Sequence, residues 1–149
     1  MKTNLKKVFA LIFAVMFVFC FAACGEKKAP VIGISQYGQH ESLDNCREGF
    51  LQGLEMAGLT EGVDYTLEVQ NASFDDAIDS QIAQKFADEN VSLMVGIATP
   101  SAQACFNAAE EKDIPVIFTA VTDPVGAKLD AGNITGTSDV LPVEGQLRL

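Results

Sequence analysis

Leu93-Met-Val-Gly-Ile-Ala-Thr-Pro-Ser-Ala-Gln103 decides how the rest of the chain is read. Leu93 to Ala98 is an unbroken apolar run, the composition of a strand covered on both faces, and such strands belong to parallel sheets flanked by helices. Thr99 and Pro100 follow at once as the cap and first turn of a helix, because proline lacks the N–H that would have no partner there. Ala102, Cys105, Ala108 and Ala109 continue it at helical spacing. A central strand that passes directly into a helix is the repeating unit of an α/β sheet.

The same alternation extends in both directions. Val31 to Ile34 reads as a strand, and Leu43, Cys46, Phe50, Leu54 and Ala57 recur on one face of a helix that Gly58 stops, with Leu59 as the hydrophobic contact behind it. Tyr65 to Val69 is a second strand. Ser73 is expected to cap the next helix, with Asp76 three residues on. Ile78, Ile82 and Phe86 form its apolar stripe, while Asp75, Asp79, Lys85 and Asp88 face water. Pro115 to Val121 and Asn133 to Thr137 supply two more strands. The fold class is therefore α/β, a doubly wound parallel sheet in three layers, α/β/α, with strand order 2-1-3-4. In that order the helices bearing Cys46 and Cys105 lie on opposite faces of the sheet. The two thiols are then too far apart to pair and are read as small buried apolar groups.

Not all 149 residues belong to this pattern. Lys2, Lys6 and Lys7 precede a run from Val8 to Ala23 without a charge, the layout of a secretory signal, and the run is shorter than the about 20 apolar residues a spanning helix needs. Phe21-Ala-Ala-Cys24-Gly25 resembles a bacterial lipobox, with Phe21 in place of the usual Leu. Residues 1–23 are thus expected to be a lipoprotein signal peptide and Cys24 the lipidated N-terminus, with an uncleaved anchor as the alternative. Either places the remainder outside the cytoplasm, attached to the bacterial cell membrane. Residues 24–30 form a polar tether, 31–139 a folded lobe, and 140–149 a departure from it. Lys and Arg number 10 against 20 Asp and Glu, a net charge of −10, which excludes nucleic acid as a partner because phosphates are held by cationic surfaces.

Open α/β sheets bind ligands beyond the carboxyl ends of their strands, where helix N-termini present unpaired N–H groups. The candidates are Ser35, Gln36 and Tyr37 after the first strand, Gln70 and Asn71 after the second, and Thr99 and Ser101 after the third. Asp123 follows the fourth, and Ser138 and Asp139 the fifth. Thr99-Pro-Ser101 combines hydroxyls with free backbone N–H groups, a chemically sound carboxylate site. Asp123 or Asp139 can meet an ammonium group, so the set describes a pocket for an amino-acid zwitterion. The alternative is that Thr99 and Ser101 only cap a helix and the acids only serve turns. No dinucleotide fingerprint, Walker A segment or nucleophile elbow is present, so no cofactor is implied. His40 with Glu41 and Asp44 is an incomplete metal cluster in a polar loop, more simply a solvated histidine, and no metal is assigned. Tyr37 and His40 are also placed to close over a ligand ring.

Taken together, Gly33-Ile-Ser-Gln36, Arg47-Glu-Gly-Phe50, Gln70-Asn-Ala72, Ile97-Ala-Thr-Pro-Ser-Ala-Gln103, Ala120-Val-Thr-Asp-Pro-Val125 and Asn133-Ile-Thr-Gly136 resemble the tryptophan/tyrosine type of ABC transporter substrate-binding lipoproteins. The resemblance implies a type I periplasmic-binding fold of two α/β lobes that close on an aromatic amino acid and deliver it to a permease driven by an ATPase. It implies no enzyme. Members of that family run to about twice this length as two domains of ordinary size, so residues 31–139 correspond to the first lobe and 140–149 to the start of a crossing into a second. The resemblance places Gln36, Thr99, Ser101, Asp123 and Asp139 at the ligand. An extracytoplasmic sensing lobe, a truncated lipoprotein without function, or a hydrolase built on Ser101 are the other readings.

Overall fold

The computed structural model describes residues 29–130 and 132–140. The expected signal peptide, Cys24 and most of the expected tether and of residues 140–149 lie outside them. Five strands form one all-parallel sheet: β1 (Val31–Gln36), β2 (Thr66–Asn71), β3 (Leu93–Ile97), β4 (Val116–Val121) and β5 (Ile134–Ser138), in the order β2-β1-β3-β4-β5. Three helices connect them, α1 (Glu41–Met56), α2 (Asp76–Asp88) and α3 (Thr99–Ala109), with a short 3-10 turn at Glu110–Lys112. The expected fold class and strand order are both found.

The handedness of parallel crossovers explains the layers. A strand-helix-strand unit is right-handed, so the direction of each step along the sheet decides which face its helix covers. The step from β1 to β2 runs one way and places α1 on one face. The steps from β2 to β3 and from β3 to β4 run the other way and put α2 and α3 together on the opposite face. Under α1 lie Ile32, Ile34, Tyr65, Val95 and Ile97, with Leu43, Cys46, Phe50 and Leu54 packed onto them. Ile82, Ala83, Phe86, Met94, Cys105 and Val116 form the core under α2 and α3. From β4 to β5 the chain crosses without a helix, and Leu129 packs on Ala102, Phe118 and Val121 instead.

Local chemistry accounts for the helix ends, with two corrections. At the C-terminus of α1, Gly58 takes φ 80°, its N–H donates to Glu55 O at 2.9 Å and that of Leu59 to Leu54 O at 3.0 Å. This is the expected glycine stop. Ser73 does not cap α2: Asp75 does, its carboxylate accepting from the N–H of Ala77 and Ile78. A carboxylate at the positive end of a helix is the stronger acceptor. Thr99 is not the cap of α3 either. Ala98 occupies that position, and Thr99 is the first helical residue.

Cys46 and Cys105, the two cysteines among the described residues, are free, in different cores on opposite faces of the sheet. Cys105 is buried as expected, whereas Cys46 is only half-buried. It lines a cavity of about 330 Å³ with Gly49, Phe50, Ile117 and Thr137, on the α1 side of β4 and β5. No helix among the described residues is long and apolar enough to cross a membrane.

Candidate functional site

All five strands point the same way, so their carboxyl ends form one continuous edge. Backbone hydrogen bonds stitch it together: Ala72 N–H to Gln36 O (2.9 Å), Tyr37 N–H to Ile97 O (3.2 Å), Ala98 N–H to Thr119 O (3.0 Å) and Asp139 N–H to Val121 O (3.2 Å). Chain direction across the sheet reverses between β1 and β3, and there helices leave toward opposite faces. That is where such sheets open a crevice.

At the centre of this edge stands the start of α3. Ala98 has φ 86° and ψ 160°, a backbone region nearly restricted to glycine, and its methyl group cannot cap the helix. Pro100 has no N–H, and the first N–H groups of any helix lack intrahelical acceptors. Among the described residues no side chain caps α3. The amides of Thr99 and Ser101 therefore remain unmatched by a cap at the mouth of the crevice, next to a half-buried Thr99 side chain.

The predicted site residues divide into two groups. Ser35, Gln36 and Ser101 are fully buried and already engaged. Ser35 Oγ donates to Asp79 Oδ1 and Ser101 Oγ to Asp79 Oδ2, both at 2.6 Å. Gln36 Nε2 donates to Gly38 O (2.8 Å) and Asp44 Oδ1 (3.0 Å), and its Oε1 accepts from Arg47 Nη1 at 2.6 Å. Strands β1 and β2 run two residues further than the sequence indicates, so Ser35, Gln36, Gln70 and Asn71 are strand residues, not loop residues. Asn71, Asp123, Ser138 and Asp139 are exposed along the edge. Asn71 accepts from Ser73 N–H (2.8 Å), and Asp123 from Gly126 N–H (2.9 Å), so both carboxamide and carboxylate also shape their own turns.

Asp79 was expected to face water, and it is 1% exposed. Its place in the helix explains this: Asp79, Ile82, Ala83, Phe86 and Ala87 form the buried stripe of α2, and Ile78 is turned outward. Counting the two alanines into the period would have revealed it. Arg47, whose guanidinium joins Gln36 to Asp44, was likewise missed as a site component. His40 is not a free loop histidine. It caps α1, its Nδ1 accepting from Ser42 N–H at 3.2 Å. Among the described residues no group of three His, Cys, Asp or Glu side chains is placed to hold a metal ion.

Charge on the rim is set by α2. Tyr37 Oη donates to Asp76 Oδ1 at 2.8 Å, and this bond holds the Tyr37 phenol above its ordinary range, with partial desolvation and the negative charge of Asp76 adding to it. Burial, and then the nearby Asp79 carboxylate, push the Cys105 thiol far up, so it is an inert core group.

Comparison with known proteins agrees with this architecture. A tyrosine-binding protein of Clostridioides difficile is 45% identical over 129 residues, which cover 83% of this chain and 37% of that protein. The ligand-free, open structure of a substrate binding protein with adhesive properties from Clostridium difficile superposes with a TM-score of 0.76 at 42% identity, over 81% of this chain and 42% of that one. An ABC domain from Streptococcus pneumonia in complex with L-Trp gives 0.72 at 34% identity, over 79% and 41%. The chain thus spans about two-fifths of the length of these relatives, and its sheet matches the type I periplasmic-binding fold. Residues 31–149 match the family described as ABC transporter substrate binding protein, a stretch that takes in every strand and helix described above, and the chain belongs to that family.

Proposed function

We propose that residues 31–139 are one lobe of an extracytoplasmic receptor that binds an aromatic amino acid, tyrosine or tryptophan, for an ABC importer. The observation that carries this is the uncapped start of α3 at the crevice between β1 and β3. Backbone N–H groups there suit a carboxylate, because the helix end carries partial positive charge and, among the described residues, no side chain caps it. Asp123 and Asp139, exposed on the same edge, suit the ammonium group. Thr99, Asn71, Ser138 and these two acids are the residues that reach ligand. Ser35, Gln36 and Ser101 act through their buried partners, fixing the shape of the edge. Relatives that bind tyrosine or hold tryptophan support the aromatic class.

In this reading the chain does no chemistry of its own: it hands the amino acid to a membrane permease and its ATPase. A hydrolase is disfavoured by Ser101, whose hydroxyl is fully buried and bonded to a carboxylate, with His40 occupied as a cap on α1. Cys24 is proposed as the lipid anchor, and residues 140–149 as the departure toward a second lobe that supplies the facing wall.

Saturation-transfer NMR on the full chain with a panel of amino acids tests the reading. Tryptophan and tyrosine should receive saturation, and glutamate and lysine should not. Transfer to charged amino acids alone, or to sugars alone, would overturn it.

A further inference from the structure

Between β2 and α2 the chain runs Asn71-Ala-Ser-Phe-Asp75, and Ser73 and Phe74 both adopt left-handed backbone conformations, with φ of 54° and 64°. Two such residues in succession, neither of them glycine or asparagine, are uncommon, and for a ring-bearing residue the conformation is an outlier. The surroundings hold it in place. Asn71 Oδ1 accepts from Ser73 N–H (2.8 Å), Phe74 N–H donates to Tyr37 O (2.7 Å), and Asp75 N–H donates to Ala72 O (3.0 Å). The Phe74 ring lies edge-on to Tyr37, with centroids 5.7 Å apart and planes at 87°. Tyr37 is itself fixed through its hydroxyl to Asp76. Beneath the ring is Gly38, where any Cβ would collide with it. A large apolar side chain this firmly seated would ordinarily be buried, yet Phe74 is 56% exposed.

Position gives the exposed ring a use. Phe74 stands at the carboxyl edge of the sheet, bonded through its backbone to Tyr37, whose own N–H reaches Ile97 O, next to Ala98 and the open end of α3. A carboxylate held at Thr99 therefore leaves its side chain within the neighbourhood of a rigid aromatic shelf. An aromatic ring attracts another ring beyond what its area alone contributes, and a shelf already fixed in place loses little freedom on binding. We infer that Phe74, seated on Gly38 and braced by Tyr37, is the residue of this lobe that selects a ring-bearing side chain over an aliphatic one. This deepens the receptor reading and rests on it.

The test is titration of the full chain with tryptophan and with leucine, followed in amide correlation spectra, for the parent, Phe74→Leu and Phe74→Tyr. Tryptophan should move the signals of Thr99, Tyr37 and Phe74, and leucine those of Thr99 alone. Phe74→Leu should weaken tryptophan by about two- to tenfold, the range of an aromatic pair, and leave leucine unchanged. Phe74→Tyr, which keeps the ring, should restore tryptophan. If Thr99 responds to tryptophan but Phe74→Leu changes nothing, or weakens both ligands equally, the shelf is overturned and the receptor stands. If neither amino acid moves Thr99, the receptor reading falls and the shelf with it.

Discussion

Asp79 joins three elements at a depth that water does not reach. Its two oxygens take the hydroxyl protons of Ser35 from β1 and Ser101 from α3, while its backbone belongs to α2. Asp79→Ala would leave two buried hydroxyls without an acceptor, and at about 1–3 kcal/mol for each such group the expected loss of stability is about 3 kcal/mol. Asp79→Asn retains one acceptor and should lose less. Urea unfolding of the two variants checks this, and a loss for Asp79→Ala within experimental error would contradict the bridging role. The rim offers a second check, by pH. Tyr37 ionises above its ordinary 10.0 because the phenolate would forfeit its bond to Asp76 and face a like charge. The folded chain keeps that proton longer than the unfolded one, so the stabilisation is complete below pH 10 and is lost as pH rises from there through the raised value. In Asp76→Asn the ultraviolet transition of Tyr37 should move down toward 10.0, and an unmoved transition would mean that the hydrogen bond is absent in solution.

At the scale of elements, the close seating of α3 on β3 depends on Gly96. A Cβ there would stand 2.5 Å from Ala102 Cα and 2.6 Å from its N, both backbone atoms that cannot move without the helix. Gly96→Ala should therefore lower stability by about 1–3 kcal/mol, read from the midpoint of thermal or denaturant unfolding, with an unchanged midpoint contradicting the packing. That contact is read from the structure alone, whereas the strand order and the opposite placement of Cys46 and Cys105 follow from features visible in sequence: an unbroken apolar run, then Thr-Pro, and crossovers with one permitted hand. Alkylation of the native protein tests the cysteine placement, with Cys46 modified and Cys105 protected by burial; equal labelling of both would count against it. Other parts were not legible. The helical period with its two alanines can bury Asp79, but it does not name the serines that bond it, which lie 44 and 22 residues away in the chain. The left-handed pair at Ser73 and Phe74 runs against the preferences of both residues, and the seat of the Phe74 ring needs Gly38 to carry no side chain. Sequence patterns report what neighbours along the chain prefer, and these contacts are made across it.

For the molecule as a whole, the direction of the crossovers sets two helices on one face of the sheet and, among the described residues, one on the other. α1 alone occupies its face, and the cavity beside Cys46 and Ile117 opens there. The carboxyl edge is one-sided: the described residues build a single wall, with Asn71, Asp123, Ser138 and Asp139 exposed to water. Anchoring at Cys24 is checked by Cys24→Ala, which should release the chain from membranes or stall its processing, whereas unchanged partitioning would refute the lipid anchor. Affinity is the more searching property. Pockets for small molecules bury about 70–90% of the ligand surface, and exposed charge pairs contribute only about 0–1 kcal/mol each. A zwitterion held at one open wall should therefore bind with a dissociation constant near the millimolar range, roughly −4 kcal/mol. Calorimetric titration of tryptophan into the 149-residue chain measures this directly. Weak binding near millimolar, stronger for tryptophan and tyrosine than for leucine, is the expected result; micromolar binding, or a preference for leucine, would contradict it.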